Sequence, residues 1–436
     1  MQVTVEALNP VTKKVSIEIP SDQVDAEIEK VYSRIQKQAR IQGFRQGKAP
    51  MHLVKRTYSD SMRDEVMRRF YDQTLFKALD EHKIEPVEAP TIESEILEQG
   101  TSFKYSALVE VMPEIELRDY SGLAVTKEKY VQKPESIEGE LKRMQENMAQ
   151  LVPVDDDAAV ENGHKVTLDY TFSVDGFPEE TSNAEDAEVE VGENKLVPGF
   201  EEQLIGLKRG ETREITITLP EGYRTPEAAG KPGVFQVTIK EIKRKELPEL
   251  DDEFAQQFGE NESMEQLRAK LAEYHEKHEL ERIENDLKEN VIQALIEKNP
   301  LEVPKSMVKR QLDHMLENFR NRLKGQGMSL EMMGLDEEGF RQRFRDSAEN
   351  KVKGGLLLMA LVEKENISAN DEDFEQRYEQ IAAGNPDMLN RVKEYYHSNK
   401  NAKNALVAEI KEDKAIRFLL DSAVITETEP AEQKAA

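Results

Sequence analysis

Residues 43–50 read Gly43-Phe44-Arg45-Gln46-Gly47-Lys48-Ala49-Pro50. Glycine adopts backbone conformations that other residues avoid, so two glycines four residues apart predict a tight turn. Such a turn would carry Phe44 at its tip, with Arg45 and Lys48 beside it. An exposed phenylalanine between cations suits a surface that mixes apolar protein with phosphate. The pattern also fits a plain turn between two helices whose Phe44 folds back onto the core, and local chemistry alone leaves both interpretations open.

The segments on both sides of this turn predict an α+β unit that ends near Met112. Two alternating apolar runs at the start of the chain predict strands, and apolar residues at three- or four-residue spacing between Val24 and Ala39 predict an amphipathic helix. Helical patterning resumes after Pro50, and two further strands follow it. The turn is therefore expected between two helices.

Charge is unevenly distributed along the chain. The formal net charge of −27 disfavours broad nucleic-acid binding, because contacts to phosphate need cations. Between Lys30 and Lys77 the balance reverses, with twelve Lys and Arg against four Asp and Glu. This asymmetry is typical of a chain that touches a polyanion at one end while the remainder is repelled from it. Charge alone also fits two helices with solvated basic faces.

The rest of the chain predicts three further segments. A stretch of mixed extended and helical pattern looks like a connecting arm, short strands separated by turn signals then predict a compact β-rich domain, and the remainder is helix-forming. A long amphipathic helix is expected to end at Asn299-Pro300. The fold class is therefore multidomain α+β with a C-terminal all-α domain. The predicted bounds are 1–112 for the first domain, 113–152 for the arm, 153–247 for the β-rich domain, 248–425 for the helical domain and 426–436 for a disordered tail.

Composition excludes several classes of function. The absence of cysteine excludes disulfides, thiol catalysis and cysteine-based zinc sites, and it fits a reducing compartment. The first residues lack a secretion-signal pattern, and the longest strongly apolar run, 356–362, is too short to cross a bilayer, so we expect a cytoplasmic protein. His275 and His278 lie three residues apart, but no ligand motif surrounds them, so we expect no metal site and no cofactor.

The 43–50 segment matches in full the Gly-Phe-Arg-x-Gly-x-x-Pro signature of the trigger factor family, bacterial chaperones that sit at the nascent-chain exit of the large ribosomal subunit. The resemblance covers essentially the whole chain, with the domains in the same order. It implies that the loop tip docks on a ribosomal protein beside the tunnel mouth, with help from ribosomal RNA. The ribosome-binding residues that it implies are Gly43, Phe44, Arg45, Gly47, Lys48 and Pro50.

The β-rich domain resembles an FKBP-type peptidyl-prolyl isomerase through several short motifs in the correct order, including Asp175-Gly176 and the segments 196–202 and 206–211. In that family an aromatic-walled pocket receives the proline ring. The catalytic positions that the resemblance implies are Tyr170, Leu196, Val197, Phe200, Tyr223 and Phe235. The sequence departs from the pattern at Glu179-Glu180, where many members have Phe-Asp, which predicts a more open and polar wall with Glu180 as a candidate rim acid. Phe200 stands where many FKBPs have tryptophan.

Prolyl isomerisation explains why no nucleophile is evident in the sequence. The barrier of about 18–20 kcal/mol comes from partial double-bond character in the peptide C–N bond. A dry apolar pocket can favour the twisted transition state over the planar ground state without covalent chemistry. The aromatic residues also fit a small β core with no pocket, and for Phe235 the two roles can coexist.

The resemblance implies a ribosome-associated chaperone that shields nascent chains, isomerises X-Pro bonds and takes part in protein folding and export. Its expected partners are the large ribosomal subunit and unfolded polypeptides, with no DNA and no membrane, and a homodimer off the ribosome is left open. Two rivals remain: a stand-alone isomerase with substrate-recruiting domains, and a helical adaptor without either activity. Flexible methionines could provide a client surface, although most are expected in the core. Those on the arm and helices are Met144, Met148, Met307, Met315, Met328, Met332, Met333 and Met359.

Overall fold

The computed structural model describes residues 1–155, 157–174, 177–193, 199–219 and 230–430, and for 177–181 it describes the backbone alone. The chain divides into two units. The first comprises Met1–Lys129 together with Ile283–Ala436, and the second comprises Tyr130–Arg282. Each unit is described below by itself.

The N-terminal part of the first unit is an antiparallel sheet covered by helices. Its elements are β1 (Gln2–Asn9), β2 (Thr12–Ile19), α1 (Ser21–Gln38), α2 (Met51–Thr57), α3 (Ser59–Phe70), α4 (Phe76–Glu81), β3 (Thr91–Ser94) and β4 (Phe103–Glu110), with a π-helical turn over Tyr71–Leu75. The strand order is β1-β2-β4-β3. Alternate residues of β2 and β4, such as Ile17 and Tyr105, share one core with Val24 and Ile28 of α1 and Val66 of α3. The predicted order of strands, helices and strands is therefore confirmed, and the core holds α1 and α2 on either side of the 43–50 loop.

The remainder of the first unit is mainly helical. Its elements are β5 (Ala124–Glu128), the second half of α8 (Met264–Lys298), α9 (Lys305–Gly325), α10 (Glu337–Lys364), α11 (Asp371–Ala382), α12 (Pro386–Ser398), α13 (Lys400–Ser422) and β11 (Val424–Thr428), with a 3₁₀ turn over Glu331–Met333. Helix α8 ends one residue before Asn299-Pro300, as predicted, and the Asn299 side-chain amide donates to the Leu295 carbonyl at 3.0 Å.

Residues 113–129 and 426–428 differ from the sequence prediction. The first stretch was assigned to a connecting arm, yet Leu117, Leu123 and Val125 lie in one core with residues of α8, α10 and α13. The second was assigned to a disordered tail, yet it belongs to β11, which pairs in parallel with β5. Backbone pairing between segments some 300 residues apart in sequence orders both stretches, beginning where the Val424 amide donates to the Leu123 carbonyl at 2.8 Å. Residues 431–436 lie outside the described residues.

The second unit is built around one five-stranded antiparallel sheet. Its elements are α5 (Pro134–Asn147), β6 (Gln150–Pro153), β7 (His164–Val174), β8 (Phe177–Glu190), α6 (Phe200–Leu204), β9 (Thr212–Thr218), β10 (Pro232–Glu246), α7 (Asp252–Gln256) and the first half of α8. The long strand β10 pairs with β6, β7 and β9, and β8 pairs with β7. Residues 150–152, which the prediction placed in the arm, belong to this sheet because β6 hydrogen-bonds to the end of β10. The predicted fold class is confirmed.

Candidate docking loop, isomerase pocket and apolar groove

The 43–50 loop contains two consecutive tight turns. The Phe44 amide donates to the Ile41 carbonyl at 3.0 Å, and the Lys48 amide donates to the Arg45 carbonyl at 2.9 Å. Gly43 and Gly47 have φ values of +89° and +80°, in the left-handed region that favours glycine. The tight turn expected from the two glycines is therefore present.

The base of the loop is fixed, whereas its tip faces solvent. Ala49 is buried, and the Gln36 side-chain amide donates to its carbonyl at 2.8 Å. Phe44 has 42 % of its surface exposed, so its ring does not fold back onto the core. Arg45 and Lys48 are also exposed. The loop thus holds an apolar side chain away from the domain with a cation on either side of it.

The cations around the loop differ from the others of the basic segment in their partners. Lys30, Arg34, Arg63, Arg69 and Lys77 each form an ion pair with a nearby carboxylate. Exposed cations without an acidic partner among the described residues are Lys37, Arg40, Arg45, Lys48, Arg56 and Arg68. Five of these six cations thus lie in the loop or near the ends of the two helices that adjoin it, and the sixth, Arg68, lies near the end of α3.

Glu27, by contrast, neutralises two cations within the domain. Burial acts to raise the pKa of Glu27, but hydrogen bonds from Arg69 and Lys30 outweigh it and hold that pKa below its ordinary value. Arg69 Nη1 lies 2.7 Å from Glu27 Oε1, and Lys30 Nζ lies 3.2 Å from Glu27 Oε2. Arg69 therefore stabilises the packing of α1 against α3, whereas Lys30 pairs with Glu27 within α1, and neither cation is available to a partner.

Four aromatic rings meet in the second unit. Phe235 of β10 is their common neighbour, with its ring centroid 4.3 Å from Phe172, 4.8 Å from Phe200 and 5.7 Å from Tyr170. Tyr170 and Phe172 alternate along β7 and so share one face of the sheet, while Phe200 begins α6. Offset and tilted rings at these separations attract one another. The cluster forms a continuous aromatic wall on one face of the sheet.

The structure brings together three of the six predicted pocket residues. Tyr170 and Phe235 are half-buried, whereas Phe200 is buried in the main core of the unit. Leu196, Val197 and Tyr223 lie outside the described residues, as do Asp175-Gly176 and the side chains of Glu179 and Glu180. Phe172 was missed by the sequence analysis, although its two-residue spacing from Tyr170 in a strand could have identified it.

Helix α6 is held in place by a buried carboxylate. Glu201 is buried, and its Oε2 accepts a hydrogen bond from the Gly192 amide at 2.9 Å. On the opposite face of β7, Asp169 accepts hydrogen bonds from the Asp186 amide and from Lys240, which lower the pKa of its carboxyl. Polar contacts therefore fix both the helix and the sheet that carry the aromatic wall.

Comparison with known proteins identifies families that match both the part of the chain with the 43–50 loop and the part with the aromatic cluster. The family model "Bacterial trigger factor protein (TF)" matches residues 1–144, the model of its C-terminus matches 263–421, and the model "FKBP-type peptidyl-prolyl cis-trans isomerase" matches 156–240. A trigger factor from Pelobacter propionicus is 66 % identical over 435 residues, covering 100 % of both chains. One from Trichlorobacter lovleyi is 60 % identical over 436 residues, covering 100 % of this chain and 99 % of that one.

The chain belongs to the trigger factor family. It is a chaperone with an FKBP-type peptidyl-prolyl isomerase domain, and it associates with the ribosome and with unfolded polypeptides. The rival prediction of a stand-alone isomerase without a ribosome role is wrong, as is that of an adaptor without activity. Among the described residues, none of the helices combines the length and apolar character needed to cross a bilayer.

An apolar groove lies between α9, α10 and α13 of this trigger factor's helical part. Its volume is about 810 Å³, and Met307, Leu356, Met359 and Val407 contribute to its lining. Met359 has 57 % of its surface exposed. Of the eight methionines singled out in the sequence, Met328, Met332, Met333 and Met359 are exposed, whereas the other four are half-buried.

Gly355 also lines this groove, in the interior of α10. A Cβ atom at this position would meet no heavy atom within 4 Å. Helix-interior glycine costs about 0.5–1 kcal/mol relative to alanine, so packing within α10 does not explain its presence. The glycine leaves the groove deeper than alanine would.

Proposed function

We propose that the 43–50 loop anchors this chaperone to the ribosome. Phe44 enters an apolar recess on a protein beside the tunnel exit, and the surrounding cations contact phosphates of ribosomal RNA. The observation that carries the proposal is the exposure of Phe44 among cations that lack acidic partners. Burying such a phenylalanine is worth about 1.5–3 kcal/mol, and a fixed turn limits the entropy lost when it binds.

The uneven charge of the chain favours an orientation in which the 43–50 loop faces the ribosome. The chain as a whole carries a net charge of −27, so most of its surface is repelled by RNA. Lys37 lies in the last turn of α1, Arg40 lies two residues beyond the end of that helix, and Arg56 lies near the end of α2. We assign these three cations to phosphate contacts beyond the signature residues. Such contacts orient the protein without reading sequence.

The combined substitution Lys37→Ala, Arg40→Ala and Arg56→Ala should weaken ribosome binding and flatten its salt dependence. Each lost phosphate contact reduces the slope of log K against log [salt] by roughly 0.7–0.9, so the loss of three contacts reduces it by about 2–3. Ribosome affinity measured at several salt concentrations checks this. The matched control is Lys30→Ala, Arg63→Ala and Lys77→Ala, which removes three cations that have internal acidic partners. An equal loss of slope in both variants would contradict the phosphate assignment.

We propose that the aromatic wall is the proline-binding pocket of the isomerase domain. Tyr170, Phe200 and Phe235 contribute the described part of it, and Leu196, Val197 and Tyr223 complete it. An apolar enclosure excludes water around the X-Pro bond and favours the twisted transition state, which has less charge separation than the planar amide. Half-buried Phe235 offers its exposed edge to the proline ring, whereas buried Phe200 supports it from behind.

We propose that the α9–α10–α13 groove binds apolar segments of unfolded clients. Flexible methionines can adapt to unrelated sequences, and Met307 and Met359 both line the groove. Glycine at 355 lets a bound backbone approach the helix closely. In this assignment residues 1–112 dock, 153–247 isomerise and 248–425 hold clients, with the whole protein acting in the cytoplasm. A homodimer off the ribosome stays a prediction.

Gly355→Ala should stabilise the protein by about 0.5–1 kcal/mol while weakening its hold on clients. The new methyl group has free space in the folded protein but occupies part of the groove, and we expect a loss of client affinity on the order of fivefold, about 1 kcal/mol. Denaturant unfolding and binding of a proline-free unfolded polypeptide measure the two effects. Gly139→Ala in α5 is the matched control, because a Cβ there also meets nothing within 4 Å. Tighter or unchanged client binding by the 355 variant would contradict the groove assignment.

A further inference from the structure

We propose that Phe172 is a positioning residue for the isomerase reaction, acting by fixing the ring of Phe235, and that Gly233 is required to accommodate it. The inference rests on the proposed pocket and adds two residues that neither the FKBP resemblance nor the predicted site includes. It concerns how the aromatic wall is held and does not change which groups face the substrate.

Phe172 lies directly opposite Phe235 on the neighbouring strand of the sheet. The two residues are Cα partners in the antiparallel pairing of β7 with β10. Their ring centroids are 4.3 Å apart, the shortest of the separations between Phe235 and its three aromatic neighbours. Cross-strand aromatic pairs of this kind interact more closely than diagonal ones. Phe172 therefore constrains the ring of Phe235 more directly than Tyr170 or Phe200 does.

Burial separates the roles of the two rings. Phe172 is only 5 % exposed and packs in a small cluster with Val174 and Leu219, while Phe235 is half-buried and touches both that cluster and the main core. A ring so deeply buried is not placed to contact a substrate proline. Phe172 acts through Phe235 and is a positioning residue, not a catalytic one.

Gly233 provides the space that Phe172 occupies. A Cβ atom on Gly233 would lie 2.5 Å from Cε2 and 3.0 Å from Cζ of Phe172, and 3.6 Å from Leu219 Cδ2. Non-bonded carbon atoms do not approach to 2.5 Å, so any other residue at 233 would displace the Phe172 ring. Because Gly233 has no side chain, the Phe172 ring can pack directly over the backbone of β10 at this position. The two positions are sterically coupled, and their substitutions should not be independent.

A fixed ring matters for this reaction because the pocket acts through shape and exclusion of water. Small misplacements of positioning groups cost up to about a hundredfold in rate, and supporting side chains that are locked by packing maintain the productive geometry. If Phe235 can tilt into a void beside it, where the Phe172 ring lay, substrate still binds but the twisted transition state is less well enclosed. The loss is therefore expected in kcat more than in KM.

The test is a double-substitution cycle in the full-length chain with Phe172→Leu, Gly233→Ala and both together. The probe is a tetrapeptide with one Ala-Pro bond, and kcat and KM are measured by a protease-free assay well below the unfolding temperature of each variant. Each single substitution should lower kcat about tenfold with KM within about twofold. The double variant should resemble Phe172→Leu alone, because leucine lacks the Cε2 and Cζ atoms that a methyl group at 233 would meet.

Val189→Ala is the control for a purely structural effect, since Val189 is buried in the core of the same unit without belonging to the aromatic cluster. It should lower stability without changing kcat. Unchanged kcat in Phe172→Leu, or multiplicative losses in the double variant, would overturn the positioning role. If Phe235→Leu also leaves kcat unchanged, the pocket proposal itself fails. If Phe235→Leu lowers kcat and Phe172→Leu does not, only the positioning inference fails.

Discussion

Replacing Phe44, Arg45 and Lys48 together with alanine is expected to abolish co-sedimentation with ribosomes while isomerase activity stays within about twofold of the parent. Loss of Phe44, which the proposed complex with the ribosome buries, removes about 2 kcal/mol of binding free energy. Loss of two charge-assisted contacts removes about 2 kcal/mol more. Together these correspond to roughly a thousandfold weaker binding. The substituted side chains are exposed, and Gly43 and Gly47 keep the turn, so the fold should be unaffected.

A matched control removes the same kinds of side chain elsewhere on the domain. Phe76 is 64 % exposed, more than Phe44, and Lys30 and Lys77 each have an acidic partner. The variant Phe76→Ala, Lys30→Ala and Lys77→Ala should therefore pellet with ribosomes like the parent. Unchanged pelleting of the loop variant, or equal loss from both variants, would show that the loop is not the anchor.

Phe235→Leu is expected to lower kcat/KM for an Ala-Pro peptide by about 30-fold, equivalent to about 2 kcal/mol of transition-state stabilisation. Leucine retains an apolar side chain but lacks the flat ring that contacts Tyr170, Phe172 and Phe200. Suppression of aggregation of a proline-free client should persist, because the proposed client groove lies among α9, α10 and α13. Proline-limited refolding and light scattering of an aggregating client measure the two activities.

Phe258→Leu is the control for this variant, because Phe258 is also half-buried in the same unit but packs on Phe254 at 5.0 Å. Phe200→Ala is a poorer test, since Phe200 is buried in the main core and its truncation would cost about 3–5 kcal/mol of folding free energy. Loss of isomerase and chaperone activity together in Phe235→Leu would indicate that the two functions share one site.

Features that depend only on residues close together in the chain, such as the turn at 43–50, could be predicted from the sequence. Two glycines four residues apart between predicted helices favour a tight turn, because glycine adopts a positive φ at no steric cost, so the turn could be predicted from Gly43 and Gly47. The exposure of Phe44 did not, because it depends on how Ala49 and Gln36 fix the base of the loop. Similarly, the twelve cations of the basic segment can be counted from the sequence, but which of them have an acidic partner cannot. Arg69 reaches Glu27, 42 residues away, only because α1 packs on α3.

Non-local pairing accounts for the main differences in the fold. Residues 426–428 begin the polar stretch that was assigned to a disordered tail, yet they continue strand β11, which is ordered by parallel pairing with a segment some 300 residues earlier. The predicted arm is likewise divided between two units, because Leu117 and Leu123 pack with distant helices while β6 pairs with β10. The steric coupling between Phe172 and Gly233 likewise could not be predicted from the sequence, because it depends on the register of β7 and β10.

The central claim, that the 43–50 loop is the ribosome anchor, can be tested by proximity. Because the chain contains no cysteine, Gln46→Cys provides a unique attachment point for a photoreactive crosslinker at the loop, and Lys208→Cys, at an exposed position of the isomerase domain, provides the control. With empty ribosomes, the probe at position 46 should form adducts with large-subunit components beside the tunnel exit, and the probe at position 208 should form far fewer. Absence of ribosomal adducts from position 46, with binding to ribosomes retained, would contradict the account.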